Sequence, residues 1–182
     1  MKGVILISGG IDSPVAAKLM KDKEWDFEAI HYSYEPFTDD GPEKKTRKAC
    51  EKLGIKLKVI NVAKDIKQIA EKCKPEYYFI LSKRMMMRKA EEEGYDYIIT
   101  GEAIGQVSSQ TIQNLKVIDK AVKIPIIRPL IGMNKEEIIN MAKEFGTYEI
   151  SLGPEVCDVF GNKHPTTRAK LETTEEEEKK LI

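Results

Sequence analysis

Six consecutive residues combine what an anion site needs: Ser8-Gly9-Gly10-Ile11-Asp12-Ser13. Two small glycines let the backbone turn and expose N–H groups, and Ser8 and Ser13 add hydroxyl donors. A helix that starts directly afterwards contributes its positive end. The carboxylate of Asp12 would by itself repel phosphate, so its presence points to a Mg²⁺ ion bridging carboxylate and phosphate. The string is neither a G-x-x-x-x-G-K-[ST] loop nor a G-x-G-x-x-G fingerprint.

The elements that must hold this segment alternate between strand and helix. Residues 3–7 form a continuous apolar run expected as a buried strand, and residues 14–21 are expected as a helix with Ser13 as N-cap. Strands are expected over 27–33, 55–62, 95–100 and 124–127. Helices are expected over 43–53, 65–72, 76–93 and from the capping box Asn134-x-x-Glu137 to Gly146. Residues 103–116 carry mixed helical signals, and 147–168 read as irregular. This pattern predicts an α/β fold with an open, mostly parallel, doubly wound sheet. Ligands in such sheets bind beyond the carboxyl ends of the strands, where both the Ser8–Ser13 turn and His31-Tyr32 fall. The expected division is a catalytic domain over 1–170 and a short charged terminal helix over 171–182. The charged run 175–180 is expected to be a solvated face.

Composition excludes several classes. Thirty Lys+Arg balance thirty Asp+Glu, so overall charge cannot hold a nucleic acid, although the local stretch 162–170 is basic. The longest early apolar run, residues 4–7, is far too short for a signal peptide or a membrane span, and a cytoplasmic location without membrane association is expected. Cys50, Cys73 and Cys157 are widely spaced, which offers neither a disulfide framework nor zinc-site spacing.

At this point the sequence resembles a family. S-G-G-x-D-S between a first strand and a first helix is the signature of the PP-loop ATP pyrophosphatases, with a Rossmann-like fold of the adenine nucleotide alpha-hydrolase kind. The wider string from Leu6 to Ala17 looks like the tRNA 4-thiouridine synthetases of the ThiI type. So do R-M-M-M-R from Arg84, T-G-E-A-I-G-Q-V-S-S-Q-T from Thr100, P-I-I-R-P-L-I-G-M-N-K-E from Pro125, G-T-Y-E-I-S from Gly146, and Cys157.

The resemblance implies ATP and Mg²⁺ as cofactors and assigns roles. Leu6 and Ile7, the cradle residues Ser8, Gly9, Gly10, Asp12 and Ser13, His31 and Tyr32, and Gly101 and Gln110 match nucleotide-binding positions. Lys83 matches a basic position, with Arg84 as the competing assignment because the chain is shorter than the family pattern before Gly101. Met85, Met86 and Met87 are read as core filler. Lys135 would stabilise charge on the α-phosphate and Cys157 would transfer sulfur, while Asp12 would be both catalytic and the metal ligand. The implied reaction adenylates a carbonyl, for the family C4 of a tRNA uridine, and replaces its oxygen with sulfur. AMP and pyrophosphate leave.

The implied partners are tRNA and a sulfur donor, either a cysteine desulfurase persulfide or sulfide. The 182 residues hold neither the THUMP nor the rhodanese domain of full-length members. That leaves open a separate tRNA-binding protein, an excised catalytic domain or a substrate other than tRNA. An enzyme of ATP-dependent amidation and a non-catalytic adenine-nucleotide module are the alternatives. An iron–sulfur site, a thiazole-forming role and a homodimer are further open points.

Overall fold

Both faces of a parallel strand must be apolar if helices cover the sheet on each side. The computed structural model, which describes residues 1–153, 159–161 and 164–181, shows how this chain meets that demand. Five strands, Gly3–Leu6 (β1), Phe27–Ser33 (β2), Leu57–Asn61 (β3), Tyr97–Ile99 (β4) and Ile126–Ile127 (β5), form one sheet. Its order is β3-β2-β1-β4-β5, and every neighbouring pair is parallel. The expected open sheet is thus fully parallel.

Neighbouring strand residues divide between two cores, as the two-residue period requires. Val4, Ile30 and Ile98 join one cluster, whereas Ile5, Ala29 and Ile99 join the other. The helices Asp12–Asp22 (α1), Gly41–Leu53 (α2) and Lys135–Glu144 (α6) cover the second face through Val15, Met20, Leu53 and Ile138. Ala63–Lys72 (α3), Tyr78–Glu92 (α4) and Ile112–Asp119 (α5) cover the first through Ile66, Leu81, Met87 and Ile118. The chain runs outward from β1 to β3 and then reverses to β4 and β5. With right-handed crossovers that reversal moves the helices to the opposite face and opens a crevice between β1 and β4.

A four-residue helix, Tyr148–Ser151 (α7), lies inside the stretch expected to be irregular. The last helix, Leu171–Glu178 (α8), is less solvated than its charge suggests. Glu175 and Glu176 are exposed, but Glu177 is buried and Glu178 is half-buried. Glu178 accepts hydrogen bonds from Arg84 (Nε, 2.7 Å; Nη2, 2.9 Å) and from both Nη atoms of Arg88 (2.7 Å). Glu177 accepts from the backbone N–H of Lys74 at 2.8 Å, and its carbonyl accepts from the Cys73 thiol at 3.4 Å.

These carboxylates set the acid limb of stability. Lys2 and Lys56, hydrogen-bonded to Glu28, hold it at about 2 against an ordinary 4.5. Burial opposes ionisation of Glu178, but Arg84 and Arg88 outweigh it and lower its pKa. Burial likewise opposes ionisation of Glu177, and Lys180 and Lys74 outweigh it. A lowered folded-state pKa contributes stability above the unfolded value and loses it as pH falls through the folded one. The melting temperature should therefore hold from pH 7 to about 5 and fall steadily below about 4.5. Calorimetry across that range checks this, and a melting temperature that rose on acidification would contradict it.

Candidate functional site

The residues between β1 and α1 lie at the mouth of the crevice. Ser8 N–H donates to Ser13 Oγ at 2.9 Å, Ser13 Oγ donates to Ser8 O at 3.4 Å, and Gly10 N–H reaches Ser8 Oγ at 3.3 Å. The expected N-cap role of Ser13 is thereby corrected. Ser13 lies within the first turn of α1, Ile11 occupies the cap position, and no side chain caps the helix. The Ser13 hydroxyl is turned back to close the loop, so among the described residues no side chain caps the first amides of α1, which is the condition for receiving an anion. Ser151 on α7 braces the turn by donating to Gly10 O at 3.2 Å.

Close approach explains the glycines better than unusual dihedrals do. Neither Gly9 nor Gly10 has a left-handed backbone. A Cβ on Gly9 would meet Pro42 O at 3.1 Å, and one on Gly101, just past β4, would meet Ser13 N and Cα at 2.7 Å. The strand end at Gly101 therefore packs directly on the backbone of α1. Gly101→Ala should cost about 1–3 kcal/mol, because backbone must move to admit the methyl group. Chemical denaturation measures this cost, and an unchanged midpoint would contradict the packing.

A cavity of about 870 Å³ opens over this crevice. It is within the upper range of small-molecule sites, roughly 300–1,000 Å³. Leu6 and Ile7, the cradle residues Ser8, Gly9, Gly10, Asp12 and Ser13, His31, Tyr32, Lys83, Gly101, Gln110 and Lys135 all line it. The structure thus brings together every expected site residue except Cys157, which lies outside the described residues. Lys135 and Asp12, 123 residues apart, meet with Nζ 2.6 Å from Oδ1. Lys135 opens α6, whose capping box Asn134–Glu137 is formed in both directions (3.0 and 2.7 Å). The unfavourable placement of a cation at a helix start is offset by Asp12, Glu136 and Glu137.

His31 is buried on β2, and its Nδ1–H donates to Ile7 O at 3.1 Å, with Thr46 Oγ1 at 3.3 Å. Burial lowers its pKa, so the ring is neutral at pH 7 and ties the ends of β1 and β2 together. The Tyr32 hydroxyl donates to Met86 O at 2.7 Å, which fixes α4 against β2. Gln110 is buried in a short 3-10 turn, and its side-chain oxygen has no hydrogen-bond partner in the described structure. An unpaired buried amide oxygen is costly, so a donor from a ligand is the natural partner. Met87 is buried in the core and Met86 packs against it, yet both also line the cavity.

The structure separates the two basic residues on α4. Lys83 lines the cavity, whereas Arg84 is buried beneath α8, bound to Glu178 and to the carbonyl of Val117. Lys83 Nζ is 2.6 Å from Oε1 of Glu102, a residue the functional reading of the sequence passed over. Oε2 of Glu102 accepts from Arg128 Nε at 2.8 Å and Thr100 Oγ1 at 3.2 Å, and Arg128 also reaches Asp119 at 2.6 Å. Burial opposes ionisation of Glu102, but Lys83 and Arg128 outweigh it and keep it charged. The available signal was an acidic residue directly after the strand-end glycine.

Cys50 and Cys73 are buried in the two different cores. Burial raises the Cys50 thiol to about 11 and raises Cys73 as well, so neither is a ready thiolate. Iodoacetamide at pH 8 should leave both unmodified in the native protein, and peptide mapping that found either alkylated would contradict this. Among the described residues no three His, Cys, Asp or Glu side chains gather as a metal site. Asp12 alone suits a Mg²⁺ ion that keeps its waters and arrives with phosphate oxygens. No helix among the described residues is long and apolar enough to cross a membrane.

Residues 1–182 match the family model described as thiamine biosynthesis protein (ThiI). The chain is 42% identical to a probable tRNA sulfurtransferase of Caldanaerobacter subterraneus subsp. tengcongensis, covering 99% of this chain and 50% of that protein. It is also 42% identical to a probable tRNA sulfurtransferase of Alkaliphilus oremlandii, again over 99% of this chain and 49% of the relative. A crystal structure of a 4-thiouridine synthetase–RNA complex with bound ATP superposes with a TM-score of 0.92 at 37% identity, covering 99% of this chain and 50% of that one. The NMN synthetase of Francisella tularensis shares the fold at 15% identity and a TM-score of 0.67, covering 99% of this chain and 78% of that one. The chain spans about half the length of the curated relatives it matches.

Proposed function

Since the chain belongs to the ThiI family, we propose that it is an ATP-dependent sulfurtransferase segment that converts a tRNA uridine to 4-thiouridine. The observation that carries this reading is the joining of the Ser8–Ser13 cradle and the Asp12–Lys135 pair in one large cavity at the sheet's switch point. The likeness to an ATP-bound 4-thiouridine synthetase in complex with RNA supports ATP and tRNA as its ligands.

In this reading the first amides of α1 and the Ser8 hydroxyl receive the β,γ-phosphates of ATP. Gln110 accepts a hydrogen bond from the nucleoside, and Leu6 and Ile7 flank it. Asp12 would hold Mg²⁺, which supplies charge neutralisation at the phosphates. Lys135 stabilises the negative charge that develops on the α-phosphate as the uridine C4 oxygen attacks and pyrophosphate leaves. The oxygen, a poor leaving group as a carbonyl, then departs with AMP when sulfur attacks C4. Sulfide attacks C4 directly, whereas a persulfide donor passes its outer sulfur to Cys157, the relaying thiol by family resemblance, and leaves as a thiol. That sulfur attacks C4, and an external thiol then releases the thiolated uridine by forming a disulfide with Cys157. The chain acts in the cytoplasm, where tRNA and such donors meet.

The test is ATP turnover by the purified chain with tRNA and sulfide, read as equal amounts of pyrophosphate and AMP. Pyrophosphate release that requires tRNA supports the reading. Tight ATP binding without any release would replace it with a nucleotide-sensing module.

A further inference from the structure

We infer that Glu102 is a positioning residue that fixes the Lys83 ammonium within the nucleotide cavity, a role that rests on the ATP-binding reading above. Glu102 directly follows Gly101 at the carboxyl end of β4 and is only 3% exposed. Its two oxygens have separate duties. Oε2 is held from the β4–β5 side by Arg128 at 2.8 Å and Thr100 at 3.2 Å, which sets the plane of the carboxylate. Oε1 faces α4 and, among the described residues, accepts only from Lys83, at 2.6 Å.

The two cations on Glu102 differ in kind. The Arg128 side chain is 10% exposed and also bound to Asp119, so it belongs to the frame. The Lys83 side chain is 28% exposed and lines the cavity. A lysine ammonium carries three donors on a flexible stem, and one spent on Glu102 leaves two for a ligand oxygen. Anchoring that stem before the ligand arrives lowers the ordering cost of binding, which is the physical content of preorganisation. The four charges of Lys83, Glu102, Arg128 and Asp119 sum to zero, so the assembly can be buried without an uncompensated ion.

A double-mutant cycle on ATP affinity tests this. Glu102→Gln keeps the shape and removes the charge, and Lys83→Met removes the ammonium. Each single variant should weaken ATP binding by about tenfold, and Glu102→Gln should add little in the Lys83→Met background, because coupled groups are non-additive. An equal loss in both backgrounds, or no loss from Glu102→Gln alone, would overturn the role and leave Glu102 a frame residue only. If Glu102→Gln does not fold, Glu102→Asp, which keeps the charge and withdraws the oxygens, takes its place in the same cycle. Failure of the wild-type chain to bind ATP would overturn the nucleotide reading instead, so the two failures are distinguishable.

Discussion

Asp12→Ala should reduce tRNA-dependent AMP formation by about 10²–10³-fold or more, the scale on which losing one charge-stabilising group acts. It should do so without unfolding the protein. Asp12 and Lys135 side chains are 23% and 47% exposed, so the pair is close to solvent. Such pairs contribute about 0–1 kcal/mol to stability. Asp12 also lines the cavity, and the turn it occupies is closed by Ser8, Ser13 and Ser151 rather than by its carboxylate. Lys135→Met should show the same division, a large loss of AMP formation with little change in melting temperature. Normal AMP formation by Asp12→Ala would remove the cradle assignment.

Glu178→Ala should have the opposite signature, a large stability loss. Arg84 is 1% exposed, and Glu178 takes both its Nε and its Nη2. Removing the carboxylate leaves a buried guanidinium uncompensated, which costs about 3 kcal/mol at the lower end for such pairs. For a chain of this size that corresponds to a melting temperature lower by about 6–12 °C. Replacing both partners, with Arg84→Met and Glu178→Leu, should recover much of the loss, since the uncompensated charge is then gone. Calorimetry of the single and double variants checks this. A loss below about 1 kcal/mol in Glu178→Ala would mean that α8 is not held by this pair.

These two cases also mark what was legible in the sequence. Apolar runs bounded by glycine located β1, and β2 was read over the same seven residues that form it. The capping box at Asn134 located α6, because both of its hydrogen bonds are local and written in neighbouring residues. The Ser8–Ser13 turn was legible as the junction of a first strand and a first helix for the same reason.

What escaped was long-range. Ser13 carries a good cap side chain, but its partner is Ser8, and only the fold decides between the two uses. Glu102 read as one more acidic residue, since its partners Lys83 and Arg128 come from elements that meet only when the sheet forms. The acidic run in α8 read as solvated because charge pattern alone does not show that Arg84 and Arg88, four apart on α4, present one face to it.

The most direct test of the sulfurtransferase reading is mass spectrometry of tRNA nucleosides from cells with and without this gene. Loss of 4-thiouridine on deletion, with its return when the gene is restored but not when the Asp12→Ala form is supplied, is the expected result. Unchanged thionucleosides after deletion would contradict it.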